Sequence, residues 1–223
     1  MFHVNHSDFE SLEPRRLLST STTTTDTPND TLLVRGTNAD DLITLDIRSD
    51  GGIKFARVNL NGTRRDFDLT GIHHIRIESL DGPDTVVIDE DVVRGIEING
   101  GLGDDNITCG SGNDTVIGGR GQDIVTGNDG NDKLRGDTGL DTLIGGDGND
   151  RLDGGDGGDD LEGQDGNDSI TGGAGEDMMF GGDGDDQFFA RDNFMDNIAG
   201  GNGTNRAQID SLDLVAGVRF EIP

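Results

Sequence analysis

Between Gly100 and Phe189 the chain repeats itself every nine residues, ten times over, with no residue between one unit and the next. The units read GGLGDDNIT, CGSGNDTVI, GGRGQDIVT, GNDGNDKLR, GDTGLDTLI, GGDGNDRLD, GGDGGDDLE, GQDGNDSIT, GGAGEDMMF and GGDGDDQFF. The fourth position is Gly in all ten and the sixth is Asp in all ten. The eighth is always apolar: Ile107, Val116, Val125, Leu134, Leu143, Leu152, Leu161, Ile170, Met179 and Phe188. In a chain that is 30% apolar, such a column has chance odds of roughly one in 10⁵. A period so much shorter than a domain means that one small unit is stacked many times, each copy touching its neighbours.

Each column has a physical reading. Glycine at positions one, two and four permits positive φ and close backbone approach, so the first six residues of a unit are expected to form a tight turn. The last three, with an apolar residue in the middle, are expected to form a short strand whose central side chain points inward. Two units then close one coil of a flattened solenoid, and residues 18 apart stack on the same side. The expected fold class is therefore all-β: a parallel β-roll, a two-sheet right-handed solenoid, with a β-rich N-terminal cap. Ten units make five coils, about 24 Å of roll at a strand spacing of about 4.8 Å.

Charge limits the partners. Against 17 Lys and Arg stand 45 Asp and Glu, a formal net charge of −28, which repels nucleic acid and anionic membranes and requires something cationic to offset it. Ca²⁺ takes 6 to 8 oxygens at about 2.4 Å, more than one turn offers. Two stacked turns about 4.8 Å apart supply enough, because an ion midway between them draws on both. Mg²⁺, with its shorter bonds and retained waters, suits that spacing less well. Five turns on each side leave four gaps per side, so about eight Ca²⁺ ions are expected.

These residues resemble the hemolysin-type, or repeats-in-toxin (RTX), calcium-binding nonapeptide family, whose consensus is GGxGxDxUx; the resemblance covers 90 contiguous residues. It implies that the sixth-position aspartates and turn carbonyls ligate calcium between stacked turns. The matching carboxylates are Asp105, Asp114, Asp123, Asp132, Asp141, Asp150, Asp159, Asp168, Asp177 and Asp186. Departures are Cys109 at position one of the second unit, and Asn128, Asp137 and Gln164 at position two of three others, where positive φ is costlier than for Gly. Asp141, inside the array, is expected to matter more for calcium affinity than Asp105 at its start.

Outside the array the chain divides into residues 1–30, a disordered N-terminal motif and Ser/Thr-rich linker; 31–99, a β-rich cap; and 190–223, degenerate repeats and a C-terminal cap. Period-two alternation marks strands at Leu42–Ile47, Ile53–Leu60 and Ile72–Ile77, with hairpin turns at Ser49–Gly52 and Asn61–Gly62. Weak copies of the repeat stand at Gly36–Ile43 and Ser79–Val87, so the solenoid is expected to begin before Gly100. Arg191–Ala199 and Gly200–Gln208 are decaying repeats, with Asp196 at the sixth position of the first and Asn205 in place of Asp in the second. Ser19–Asp30 is too polar to pack and is expected to be a flexible linker. Phe9–Ser19 resembles the LEPR-XLL motif at the start of large surface proteins of planctomycete-type bacteria, through Leu12-Glu13-Pro14-Arg15 followed by Leu17-Leu18. That resemblance implies export or an envelope location.

Other chemistries find no support. The four histidines, His3, His6, His73 and His74, all lie outside the array, and the adjacent pair His73-His74 points to opposite faces of a strand. The single cysteine, Cys109, excludes an internal disulfide and reads as an inert thiol. An EF-hand loop needs Gly at its sixth position and Glu at its twelfth, which these units lack. Regular Thr ranks of an ice-binding face are missing: position nine on one side runs Thr108, Thr126, Ile144, Glu162, Phe180. No HExxH, GxSxG or GxGxxG motif and no membrane-span-length apolar run occurs. The expected function is non-enzymatic: calcium binding by a secreted or cell-surface β-roll that folds on binding the ion, in a structural or adhesive role with a cell-surface or matrix partner. The alternative is an accessory module for an exported carbohydrate-active or hydrolytic enzyme.

Overall fold

The computed structural model describes residues 23–27 and 30–220, all strand, turn and bend, with no helix among them. The N-terminal part carries β1 (Thr23–Thr27), β2 (Thr31–Arg35), β3 (Leu42–Asp50), β4 (Ile53–Leu60), β5 (Thr63–Asp68), β6 (His74–Asp81), β7 (Thr85–Ile88) and β8 (Glu97–Leu102). The repeat array carries β9 (Asn106–Thr108), β10 (Thr115–Arg120), β11 (Ile124–Asp129), β12 (Lys133–Thr138), β13 (Thr142–Asp147), β14 (Arg151–Asp156), β15 (Asp160–Asp165), β16 (Ser169–Ala174), β17 (Met178–Asp183) and β18 (Gln187–Ala190). Then come β19 (Asn197–Asn202), β20 (Asn205–Ile209), β21 (Leu214–Ala216) and β22 (Val218–Phe220).

Through the array successive strands fall alternately into two sheets. One runs β8-β10-β12-β14-β16-β18-β20-β22 and the other β21-β19-β17-β15-β13-β11-β9-β7-β3, parallel throughout. This is a parallel β-roll. The register is 18 residues, Val116 opposite Leu134 and Leu134 opposite Leu152 in one sheet, Val125 opposite Leu143 and Leu143 opposite Leu161 in the other. All ten eighth-position side chains are buried between the sheets, at most 1% exposed. Their columns continue outward through Ile77 and Ile98 in one direction and Ile198 and Ala207 in the other, all buried.

Strand and turn divide differently from the sequence expectation. From β10 to β17 every strand has six residues, covering positions seven to nine of one unit and positions one to three of the next. The turn proper is confined to positions four to six. Positions two and three pair with the coil beside them, as Gly119 does with Asp137 and Arg120 with Thr138, while position one drops out of the ladder. Glycine satisfies that pairing as readily as a β-branched residue, and its abundance reads as a turn when only composition is considered.

The N-terminal edge is closed by antiparallel additions. β3 turns back through Gly51-Gly52 into β4, and β4 through Asn61-Gly62 into β5, all four turn residues having positive φ. Positive φ at both central residues suits the hairpin twist. Ala56, Val58 and Leu60 of β4 pack on the main core, covering the open end of the solenoid. Thr23–Thr27, inside the stretch expected to be a linker, form β1 and pair antiparallel with β2. The LEPR-XLL motif lies outside the described residues. Both boundaries drawn around the array are crossed by the ladder, since β8 spans Asn99 and Gly100 and β18 spans Phe189 and Ala190.

Candidate metal centre

The turns stack into two rows on opposite edges of the roll, and within each row the sixth-position aspartates form a continuous hydrogen-bonded chain. In the first row the N–H of Asp105 donates to Oδ1 of Asp123, Asp123 to Asp141, Asp141 to Asp159 and Asp159 to Asp177, each at 2.8 Å. In the second row Asp114 donates to Asp132, Asp132 to Asp150, Asp150 to Asp168 and Asp168 to Asp186, at 2.7 to 3.0 Å. All ten aspartates singled out in the sequence take part, and none is more than 3% exposed.

The first row extends beyond the array. Asp41 donates to Asp84 and Asp84 to Asp105; at the other end Asp177 donates to Asp196 and Asp196 to Asp213. Asp105 is therefore an interior member, contrary to the expectation that it ends the row. Asp41, Asp84 and Asp196 occupy the sixth positions of the weak repeats noted in the sequence, so the row takes in those turns as well as the array's. The second row begins at Ile96, which donates to Asp114, and ends at Asn205, which accepts from Asp186.

One carboxylate oxygen per turn is consumed this way and the other is not. Oδ2 of Asp84, Asp196 and all ten array aspartates is buried without a hydrogen-bond partner. Twelve orphaned carboxylate oxygens in two columns are far from what a folded chain tolerates, since each buried acceptor left unmade is costly. The chain's remaining charge does not relieve them: burial pushes Asp105, Asp132, Asp168 and Asp177 up to about 7 and Asp114, Asp123 and Asp159 to about 6, with neighbouring aspartates of the row adding to the rise in most of them.

Position one shows what the free oxygen faces. A Cβ on Gly100, Gly118, Gly127, Gly136, Gly145, Gly154, Gly163, Gly172 or Gly181 would lie 2.1 to 2.4 Å from Oδ2 of the aspartate five residues on. In seven of these nine it would also lie 2.5 to 2.7 Å from the position-one carbonyl oxygen of the next coil, as Gly145 does with Gly163. None of these nine glycines has positive φ, whereas positions two and four do, including Asn128, Asp137 and Gln164 at position two. The expectation that position one needs positive φ is thus corrected: glycine is required there because a side chain would fill the space between a carboxylate and a carbonyl.

The donor set fits Ca²⁺. It is all oxygen, it mixes carboxylate with backbone carbonyl, and the pair recurs in seven of the nine turns with glycine at position one. Among the described residues no three His, Cys, Asp or Glu side chains converge into a cage, because successive carboxylates of a row are one coil apart. Backbone oxygens must therefore supply the balance.

Two features escaped the sequence reading. In the second row the fifth-position N–H of each turn donates to the side chain one coil earlier, Asn131 to Asn113, Asn149 to Asn131, Asn167 to Asn149 and Asp185 to Asn167, running opposite to the aspartate chain. The signal was present as an Asn-Asp pair in every second unit. The other is the thiol of Cys109, fully buried against the Asp114 carboxyl.

Residues 97–125, 126–161 and 153–188 match the RTX calcium-binding nonapeptide repeat family. No curated protein matches the chain.

Proposed function

From a chain that carries RTX calcium-binding nonapeptide repeats, we propose a secreted or cell-surface β-roll that takes about eight Ca²⁺ ions between its stacked turns and acquires its fold by doing so. Asp105, Asp114, Asp123, Asp132, Asp141, Asp150, Asp159, Asp168, Asp177 and Asp186 are the carboxylate ligands in this reading, Oδ2 facing each gap and turn carbonyls completing the shell. The observation that carries it is the double column of buried Oδ2 atoms without partners. Left ionised and unpaired, they oppose the fold; each divalent cation would neutralise and ligate them. Coupling of folding to calcium follows: extended where calcium is scarce, rigid where it is abundant, which suits a chain exported before it folds. Its role is structural or adhesive, with the solenoid as a stiff spacer.

Calorimetric titration of the calcium-stripped full chain at pH 7.5, read alongside far-UV circular dichroism, tests this. More than four ions per chain and a gain of strand signal on binding are expected. One or two ions, equal uptake of Mg²⁺, or an unchanged spectrum between EGTA and millimolar CaCl₂ would overturn it.

A further inference from the structure

Ser79 and Cys109 are side chains at position one, where nine of the ten array units have glycine, and both are fully buried, unlike the exposed Arg191 at position one of the Asp196 unit. Each stands in the first turn of its row that has both a sixth-position aspartate and a regular coil after it. Ser79 Oγ donates at 2.9 Å to the carbonyl of Gly100, the position-one residue of the next coil. A protein hydroxyl thus takes up the next-coil carbonyl, one of the two groups that the glycine turns leave facing each other across open space.

Cys109 does the equivalent in the second row. Its thiol lies against the carboxyl of Asp114 and feels the charge of Asp132, the aspartates on either side of the first gap. The surrounding backbone has adjusted. Gly110 and Gly112, at positions two and four, lack the positive φ found at those positions in all nine other units. Strand β9 stops at Thr108 instead of running on through position three, and the carbonyl of Cys109 accepts a 2.6 Å hydrogen bond from Asn128 Nδ2. The turn is therefore not the glycine turn with a thiol added; it is a different turn. Oδ2 of Asp114 remains buried, within the reach of a thiol that is a weak donor and, as a soft ligand, a poor match for a hard cation.

We propose that Cys109 closes the first gap of its row to calcium, and that Ser79 does the same in the other row, so that position one decides which gaps take an ion. This rests on the reading of the gaps as calcium sites and assigns each gap a state: open over the nine glycines, closed over Ser79 and Cys109.

Native mass spectrometry of the full chain in calcium counts bound ions one by one and tests the proposal. Relative to the unaltered chain, Cys109→Gly is expected to carry one ion more, Ser79→Gly one more and the pair two more. Gly127→Cys, which places a thiol in the second gap of the same row, is expected to carry one fewer. An ion count unchanged or reduced in Cys109→Gly, in a protein whose unaltered form binds many ions, would overturn the plug while leaving the calcium reading intact. An unaltered chain that binds no calcium would instead overturn the reading on which it rests. Because Cys109→Gly restores the repeat consensus and Gly127→Cys departs from it, the two variants report in opposite directions, and a folding defect in one does not mimic the other.

Discussion

Gly145 and Gly148 lie three residues apart in one turn, and an alanine is excluded at each for a different reason. At Gly145 the added Cβ would fill the space between Oδ2 of Asp150, at 2.3 Å, and the Gly163 carbonyl oxygen, at 2.7 Å; at Gly148, with φ at +143°, it would meet the Gly130 carbonyl oxygen, fixed in the adjacent coil. One glycine keeps an ion's place and the other keeps the coils together. The aspartates have a comparable double duty, because the burial that presents Oδ2 also raises its affinity for protons. In the ion-free fold Asp105, Asp132, Asp168 and Asp177 are pushed up to about 7 against about 3.9 in an unfolded chain. The folded state then binds more protons than the unfolded one, so its stability is fully present below about pH 4 and is lost as pH rises through about 7. Calcium requires the ionised form and moves the other way. We expect the calcium-stripped chain to hold more strand at pH 4 than at pH 8, and calcium affinity to fall as pH drops from 7 to 5, with protons released on binding near pH 6. Circular dichroism of the stripped chain, and calorimetry in buffers of differing ionisation enthalpy, measure the two halves; more strand at pH 8 than at pH 4 would refute the first.

Strand and turn, taken as elements, show which parts of this structure were legible beforehand. The core was, since an apolar residue at position eight and an aspartate at position six recur with the period and have one chemical use each. Val116, Leu134 and Leu152 stack as the spacing implies. The length of the strands was not legible, because in Gly118-Gly119-Arg120 the pairing is made by backbone and glycine identity carries no strand signal. Nor was the place of position one off the ladder, which depends on a carboxylate five residues away. Row ends were half legible: Asp41 and Asp196 stand in recognisable but degraded units, yet a separation of 43 positions conceals that Asp41 and Asp84 are neighbours in one row. Connectivity along the row gives a graded expectation. Asp141 accepts from Asp123 and donates to Asp159, with a full glycine turn on each side, whereas beyond Asp196 stands only Asp213, at 3.2 Å. Asp141→Ala should therefore weaken calcium affinity several-fold more than Asp196→Ala in isothermal titration of the full chain; equal losses would mean that turns do not share ions.

For the molecule as a whole, the governing number is the 18-residue register that joins the array's turns to one another within each row. Excising residues 127–144 removes two whole units, one from each row, and returns every downstream strand to the sheet it left. Excising 127–135 alone removes one unit and sends each later strand to the opposite sheet, so that β19 to β22 keep their own neighbours but the junction sets Leu140 beside Asn113 and Asn149 beside Gln122, carrying the asparagine ladder over to the other row. We expect the first deletion to fold in calcium with two ions fewer and an unaltered cooperative transition, and the second, mismatched at its junction, to melt at a lower temperature than the first although it keeps one unit more; thermal unfolding of both in millimolar CaCl₂ distinguishes them, and a second deletion that melts as high as the first would show that the two rows are interchangeable. The N-terminal hairpins and the C-terminal strands do not sense how many coils lie between them, because each coil touches only the next. Length is thus a free variable of this architecture, adjustable in steps of one coil, and with it reach and calcium capacity rise together in fixed proportion. A lineage in need of a longer spacer has only to copy a coil, and the copy arrives with its own cations to hold it straight.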